Sequence, residues 1–194
     1  MARKHLSGLV AVLIASALLA FALLHSPRQA QAAPSGYSFA GGTAREHATV
    51  LAALAASSFD WSLVPGHVTI HISPEGSDSH ASQGEIWLDP RLLAHGRAAW
   101  GVVQHEYAHQ VDFFLLDDAT RAKLDRQLGA KIWWTDEGNL RHDQYGAERF
   151  ASTLAWAYWP SSHNTLIRYA RAEATAMPPA KFRRLMDELL ASRS

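Results

Sequence analysis

Two histidines and a glutamate near the middle of the chain stand at a spacing that suits metal chemistry. Residues 105–109 read His-Glu-Tyr-Ala-His, and residues i and i+4 of an α-helix lie on one face, about one turn apart. His105 and His109 can therefore hold one zinc ion through their imidazole nitrogens. Glu106 would stand beside the ion, where a carboxylate can take the proton of a bound water as a general base. The pattern predicts hydrolysis by a metal-activated water.

The residues around this motif predict a buried helix. Apolar positions recur at helical spacing over 97–116, and neither Lys nor Arg occurs between 99 and 111. A zinc-binding helix is mostly buried and requires such neutrality, whereas a surface helix with an incidental His-Glu-His face would tolerate basic residues. Asp112 shares the face of the two histidines. It would either accept a hydrogen bond from a ligand imidazole and fix its tautomer, or be an ordinary charged residue of the helix.

A catalytic zinc site needs a third protein ligand, and the best candidate is Glu148. The arrangement that places this ligand six residues after the second histidine is excluded, because that position is Leu115. Glu148 lies near the start of an apolar helix predicted over 143–159, and a carboxylate buried there needs a partner such as zinc. An exposed carboxylate favoured by the helix dipole is the other interpretation. His142 and Asp143 are alternative ligands, although Asp143 is also placed to cap the helix.

The composition restricts the kind of site that the chain can build. The sequence has 194 residues with 18 basic and 18 acidic side chains, 11 histidines and no cysteine. This length suits one domain. The absence of cysteine excludes disulfides, thiolate ligands and a thiol nucleophile. Any metal must therefore be held by His, Asp or Glu.

The first 32 residues are typical of an export signal. Arg3 and Lys4 precede an apolar run over 6–24, and the segment ends in the small-residue pattern Ala-Gln-Ala at 30–32. We expect cleavage after Ala32 and a secreted or extracytoplasmic protein. Without cleavage, residues 6–24 would anchor the chain in a membrane. The chain after this segment has 15 basic and 18 acidic residues, a net charge of −3 that argues against nucleic acid as a partner.

The hydrophobic pattern of the remaining chain predicts an α+β fold in a single domain. Residues 33–43 are expected to form a flexible leader, and residues 44–194 the domain. Helices are predicted over 44–57, 97–116, 118–128, 143–159, 166–175 and 179–191, strands over 67–73 and 85–89, a short helical turn over 91–95, and irregular segments over 74–84 and 129–142. These elements predict a short mixed sheet with the motif-bearing helix, followed by a mainly helical C-terminal part.

The motif and its partner helix resemble the zincin superfamily. The residues that carry the resemblance are HEYAHQVD and, about forty residues later, AERFA. The combination of HExxH with a downstream helix glutamate is of gluzincin type, and it is loosely similar to small bacterial peptidases related to the catalytic domain of anthrax lethal factor. The resemblance covers residues 84–159. It implies a minimal zincin-like domain with His105, His109 and Glu148 as ligands and Glu106 as the base.

Two further features follow from the resemblance. The strand at 85–89 is similar to the edge strand of zincins, which holds an extended peptide by backbone pairing. In the lethal-factor-like group a tyrosine about two turns before the third ligand stabilises the oxyanion, but this chain has Arg141 there. Tyr145, Tyr158, His142 or Arg141 itself would have to supply the donor.

Together these observations predict an exported zinc-dependent peptidase that acts as a monomer on a peptide or protein substrate. Two alternatives are a non-catalytic binding module that zinc stabilises, and an amidase that acts on cell-wall peptides by the same chemistry. A membrane would be a partner only if the signal segment stays attached.

Overall fold

The computed structural model describes residues 36–74 and 78–191, and it confirms the predicted α+β class. This part of the chain contains a four-stranded mixed sheet and eight α-helices. The strands are β1 (Tyr37–Gly41), β2 (Val68–Ile72), β3 (His80–Ser82) and β4 (Glu85–Leu88). The helices are α1 (Ala44–Ala56), α2 (Pro90–Leu93), α3 (Trp100–Leu115), α4 (Asp118–Leu128), α5 (Gly146–Tyr158), α6 (Leu166–Tyr169), α7 (Arg171–Ala174) and α8 (Pro179–Ala191).

The predicted signal segment, residues 1–32, lies outside the described residues. No helix in the described ranges is long and apolar enough to cross a membrane.

The sheet has the strand order β1-β2-β4-β3, and this order corrects three predictions. β1 pairs in parallel with β2, although it falls within the predicted flexible leader 33–43. β4 pairs with both β2 and β3, so the predicted strand at 85–89 is an inner strand and not the edge. The edge strand is β3, which falls within the predicted loop 74–84. Both missed strands are short, and their pairing with other strands holds them extended.

Helix α3 is buried over most of its length and is fixed on two sides by amide side chains. Gln104 donates a hydrogen bond from Nε2 to the carbonyl of Ala53 in α1 at 2.7 Å. Gln110 accepts from the Gly84 amide at 2.8 Å and donates to the Ser82 carbonyl at 2.9 Å. Because these bonds reach both the turn and the edge of the β3–β4 hairpin, they hold the edge strand against the helix that carries the HExxH motif.

Helix α5 begins later than the sequence pattern indicated. The predicted start was Asp143 with a capping side chain, but the helix begins at Gly146 and Asp143 binds Arg141 instead. Gly146 lies so close to helix α4 that a Cβ atom there would come within 2.2 Å of Oδ1 of Asp125 and 2.4 Å of the ring of Trp133. Only glycine permits this approach, which sets the position of the first turn of α5.

Asp112, at the end of the buried part of α3, holds the α3–α4 connection. Its Oδ1 accepts from Nε of Arg121 at 2.8 Å, and its Oδ2 accepts from the Trp133 indole at 2.9 Å. Burial raises the pKa of Asp112, and the bonds to Arg121 and Trp133 oppose that rise. The structure thus shows Asp112 as a buried structural carboxylate that binds Arg121 and Trp133, and not as the hydrogen-bond partner of a ligand imidazole.

We predict that Asp112→Ala destabilises the fold strongly. Removal of the carboxylate leaves Arg121 and Trp133 without their buried acceptor, and breaking a buried ion pair on one side costs about 3–5 kcal/mol. Asp118 is the matched control, because it binds the same guanidinium at 3.0 Å but its side chain is 98% exposed. Urea unfolding of the metal-free protein, followed by tryptophan fluorescence, measures both variants. Equal losses for Asp112→Ala and Asp118→Ala would contradict this assignment.

Candidate metal centre

Three buried side chains from two helices converge on one point. The donor atoms of His105, His109 and Glu148 all lie within 4.8 Å of one another. Oε2 of Glu148 is 3.1 Å from Nε2 of His105 and 3.6 Å from Nε2 of His109, and the two Nε2 atoms are 3.1 Å apart. Each of the three residues is less than 10% exposed. This group can bind a metal ion.

The charge on Glu148 is stabilised by imidazoles. Burial alone would raise the pKa of Glu148, but hydrogen bonds with His105, His109 and His142 outweigh burial and hold the pKa well below its ordinary range. Burial would lower the pKa of His109, and the hydrogen bond with Glu148 reverses that effect, so the pKa is raised. A carboxylate that stays ionised inside the protein is a suitable metal ligand.

The converging side chains lie at the floor of a cavity of about 190 Å³. Strand β3 forms one wall of this cavity, and the ligand faces of α3 and α5 form another. Phe113 and Trp134 close one end with their rings stacked at a centroid distance of 5.7 Å. The edge of the sheet therefore runs beside the three converging residues, in a cleft that is open to solvent.

Glu106 also lines this cavity, but its carboxylate is not part of the converging group. The residue is 5% exposed. Burial raises the pKa of Glu106, and the neighbouring His105 and His109 oppose the rise. The position next to the metal-binding group, without membership in it, is the one that the HExxH spacing predicts for this glutamate.

Comparison with known proteins adds nothing to this local geometry. No protein-family model, curated protein or solved structure matches this chain. Its chemistry is therefore interpreted from its own residues.

Of the four side chains considered as oxyanion donors, the structure brings only His142 to the cavity. Its Nε2 lies 3.1 Å from Oε2 of Glu148, and its Nδ1 lies 2.7 Å from Oε1 of Glu173. Hydrogen bonds to Glu148 and then to Glu173 raise the pKa of His142 to about 10. His142 does not belong to the converging metal-binding group, and its side chain is 63% exposed.

The other three candidates lie elsewhere. The hydroxyl of Tyr145 donates to the Gly138 carbonyl and accepts from the Leu140 amide at 2.8 Å. Tyr158 packs against Phe59, and burial raises its pKa to about 12. Arg141 is exposed and paired with Asp143 in a bidentate ion pair. None of the three lines the cavity.

The sequence interpretation missed two residues behind the site. Ser152 lies 2.9 Å from Nδ1 of His105, and Glu173 accepts from the Ser152 hydroxyl at 3.1 Å. Ser152 follows Glu148 by four residues, so helical spacing was a usable signal for it. Glu173 had no such signal. It lies in α7, beyond a break at Ala170 that divides the predicted helix 166–175 in two.

We predict that Glu148→Ala abolishes stoichiometric binding of a divalent metal, whereas His142→Ala retains it. Glu148 supplies one of the three converging donor atoms, and His142 supplies none. Metal content after dialysis, measured by mass spectrometry, and competition titration with a chromophoric chelator check the result. Loss of metal in His142→Ala with retention in Glu148→Ala would reverse the ligand assignment.

Proposed function

We propose that this protein is an exported zinc-dependent peptidase of zincin type. The observation that carries the proposal is the position of Glu106, a buried carboxylate that lines the cleft beside the metal-binding group. A site that only stabilises a fold has no need of such a group. A structural site also normally closes with a fourth protein ligand, and among the described residues the converging group has three members.

The donor set and its dimensions favour zinc. Two imidazole nitrogens and one carboxylate oxygen with an open fourth position are typical of catalytic zinc. Donors at zinc bond lengths on a regular tetrahedron are about 3.3 Å apart, and the three separations here are 3.1, 3.1 and 3.6 Å. Calcium and magnesium prefer oxygen ligands, so two nitrogen donors disfavour them.

The roles of the side chains follow from their places in the cleft. When bound, zinc supplies a Lewis acid that polarises the scissile carbonyl and makes a water molecule acidic at neutral pH. Glu106 accepts the proton from this water as the oxygen attacks the carbonyl carbon, and then delivers it to the amine nitrogen as the C–N bond breaks. His142 also lines the cavity, with Nε2 3.1 Å from Oε2 of Glu148. Its role is to donate a hydrogen bond from this nitrogen to the oxygen that gains negative charge in the transition state.

The substrate is proposed to be an extended peptide segment. Strand β3 is the end strand of the sheet in the described part of the chain, and His80 and Ala81 of this strand line the cleft. A peptide can add to such an edge by backbone hydrogen bonds. This pairing would lay the scissile bond across the metal-binding group.

Glu106→Gln is expected to retain zinc and the fold but to lose about 10²–10⁴-fold in kcat, because the amide cannot accept the proton. Hydrolysis of casein by the zinc-loaded protein measures activity, and metal analysis measures binding. Glu188→Gln, an exposed change of the same chemical kind on α8, is the control and keeps activity. If the zinc-loaded wild-type protein cleaves neither casein nor a broad peptide library, the peptidase proposal is wrong. A non-catalytic binding module stabilised by zinc is then the favoured function.

His142→Ala is expected to lower kcat about 10²–10³-fold with little change in KM, since the donor acts on charge that develops only in the transition state. Tyr158→Phe serves as the control, because its ring packs on Phe59 outside the cleft. Steady-state kinetics on one fluorogenic peptide compare the variants. A loss confined to Tyr158→Phe would show that the donor was assigned to the wrong residue.

A further inference from the structure

Glu173 is a buried carboxylate on the four-residue helix α7, which comes after α5 and its Glu148 in the chain. The residue is 3% exposed. Its backbone carbonyl accepts a hydrogen bond from Oγ1 of Thr153 at 2.8 Å, which fixes α7 against α5. A buried carboxylate is costly unless it is paired, so its partners indicate what it does.

The two carboxylate oxygens of Glu173 connect to two different histidines: one is the proposed ligand His105 and the other is His142, which lies beside the metal-binding group. Oε1 lies 2.7 Å from Nδ1 of His142. Oε2 accepts from the Ser152 hydroxyl at 3.1 Å, and Ser152 Oγ lies 2.9 Å from Nδ1 of His105. The three contacts form one continuous path from His105 to His142.

The direction of the hydrogen bonds along this path is set by chemistry. His105 must present a bare Nε2 to a metal, so its proton is on Nδ1 and is donated to Ser152 Oγ. The Ser152 hydroxyl then has its own hydrogen free to donate to Glu173, which as a carboxylate only accepts. His142 donates from Nδ1 to the other oxygen of Glu173. The Nδ1 hydrogen of His142 thus meets the Glu173 carboxylate directly and that of His105 meets it through Ser152, while both Nε2 atoms lie 3.1 Å from Oε2 of Glu148.

We propose that Glu173 is a positioning residue that orients two histidines at once, His142 directly and His105 through Ser152. Its carboxylate fixes the ring orientation of a proposed metal ligand through Ser152 and the ring orientation of the proposed oxyanion donor directly. Carboxylates behind ligand histidines commonly affect metal affinity about 10–100-fold. Here the Glu173 carboxylate connects the proposed ligand His105 to His142, which is not a proposed ligand. The part that concerns turnover depends on the proposed function, and the part that concerns the two imidazoles does not.

Three variants separate the effects of the Glu173 charge, of the hydrogen bonds through Ser152, and of the packing of α7 on α5. Glu173→Gln keeps the size and the backbone anchor but removes the charge. Ser152→Ala cuts only the branch to His105. Thr153→Val removes the hydrogen bond to the Glu173 backbone and leaves the carboxylate, so it reports loss of packing alone. Zinc dissociation constants come from competition titration, and long-range ¹H–¹⁵N spectra of the histidines in the zinc-loaded protein show which nitrogens of each ring carry hydrogens.

Glu173→Gln is expected to weaken zinc binding by about tenfold or more and to change the ring signals of both His105 and His142. Ser152→Ala is expected to weaken zinc binding and to change the signals of His105 but not those of His142. Thr153→Val should lower the urea midpoint of unfolding without changing either ring. Unchanged affinity and unchanged rings in Glu173→Gln would overturn the proposal. So would a Thr153→Val variant that reproduces the changes of Glu173→Gln, because the effect would then be one of packing.

Turnover adds a separate measurement. With zinc at saturation, Glu173→Gln is expected to lower kcat and to leave KM close to that of the wild type, because a misoriented His142 fails in the transition state. A change confined to KM would overturn the assignment of His142 as the second target. If the wild-type protein binds zinc but hydrolyses nothing, the proposed function fails, and the affinities and ring signals still decide the role of Glu173.

Discussion

The negative charge of Glu148 is enclosed by His105, His109 and His142, and the arrangement of helices α3 and α5 depends on it. A carboxylate inside a protein is strongly unfavourable unless charged or hydrogen-bonding groups surround it. One turn of α3 supplies two of these groups and the segment before α5 supplies the third. Helices α3 and α5 must therefore meet at this point, and a cation placed there would neutralise the same charge.

Contacts outside the metal-binding group hold α3 and α5 in the positions at which they meet. The close approach at Gly146 sets where α5 begins, and the Asp112–Arg121 pair fixes the connection that leads out of α3. Gln110 of α3 binds the β3–β4 hairpin through the Gly84 amide and the Ser82 carbonyl. The metal-binding group thus lies between an edge strand and two helices that these contacts hold in place, while the core is formed by apolar side chains of both the sheet and the helices.

The sequence predicted the parts of the site that follow from local spacing. The i, i+4 histidines and Glu106 depend only on helix geometry, and Glu148 was inferred because its helix is otherwise apolar. Features that depend on distant pairing were missed. Tyr37–Gly41 and His80–Ser82 become strands because β2 and β4 lie beside them. Asp143 was expected to cap a helix, but Arg141 competes for it. Glu173 shares no periodicity with the motif, since its role depends on how α7 folds back onto α5.

The location of Glu173 changes what counts as the smallest functional unit of this chain. A fragment that ended at Pro160 would still contain the HExxH helix and the third candidate ligand. It would lack α6, α7 and α8, and with them the carboxylate that faces His142 and Ser152. A design that copies only the motif-bearing half would keep His105, His109 and Glu148 and lose the carboxylate that we propose orients His105 and His142. The unit to be retained in engineering would therefore extend through α7, whose Glu173 contacts His142 and Ser152 beside the candidate metal-binding group.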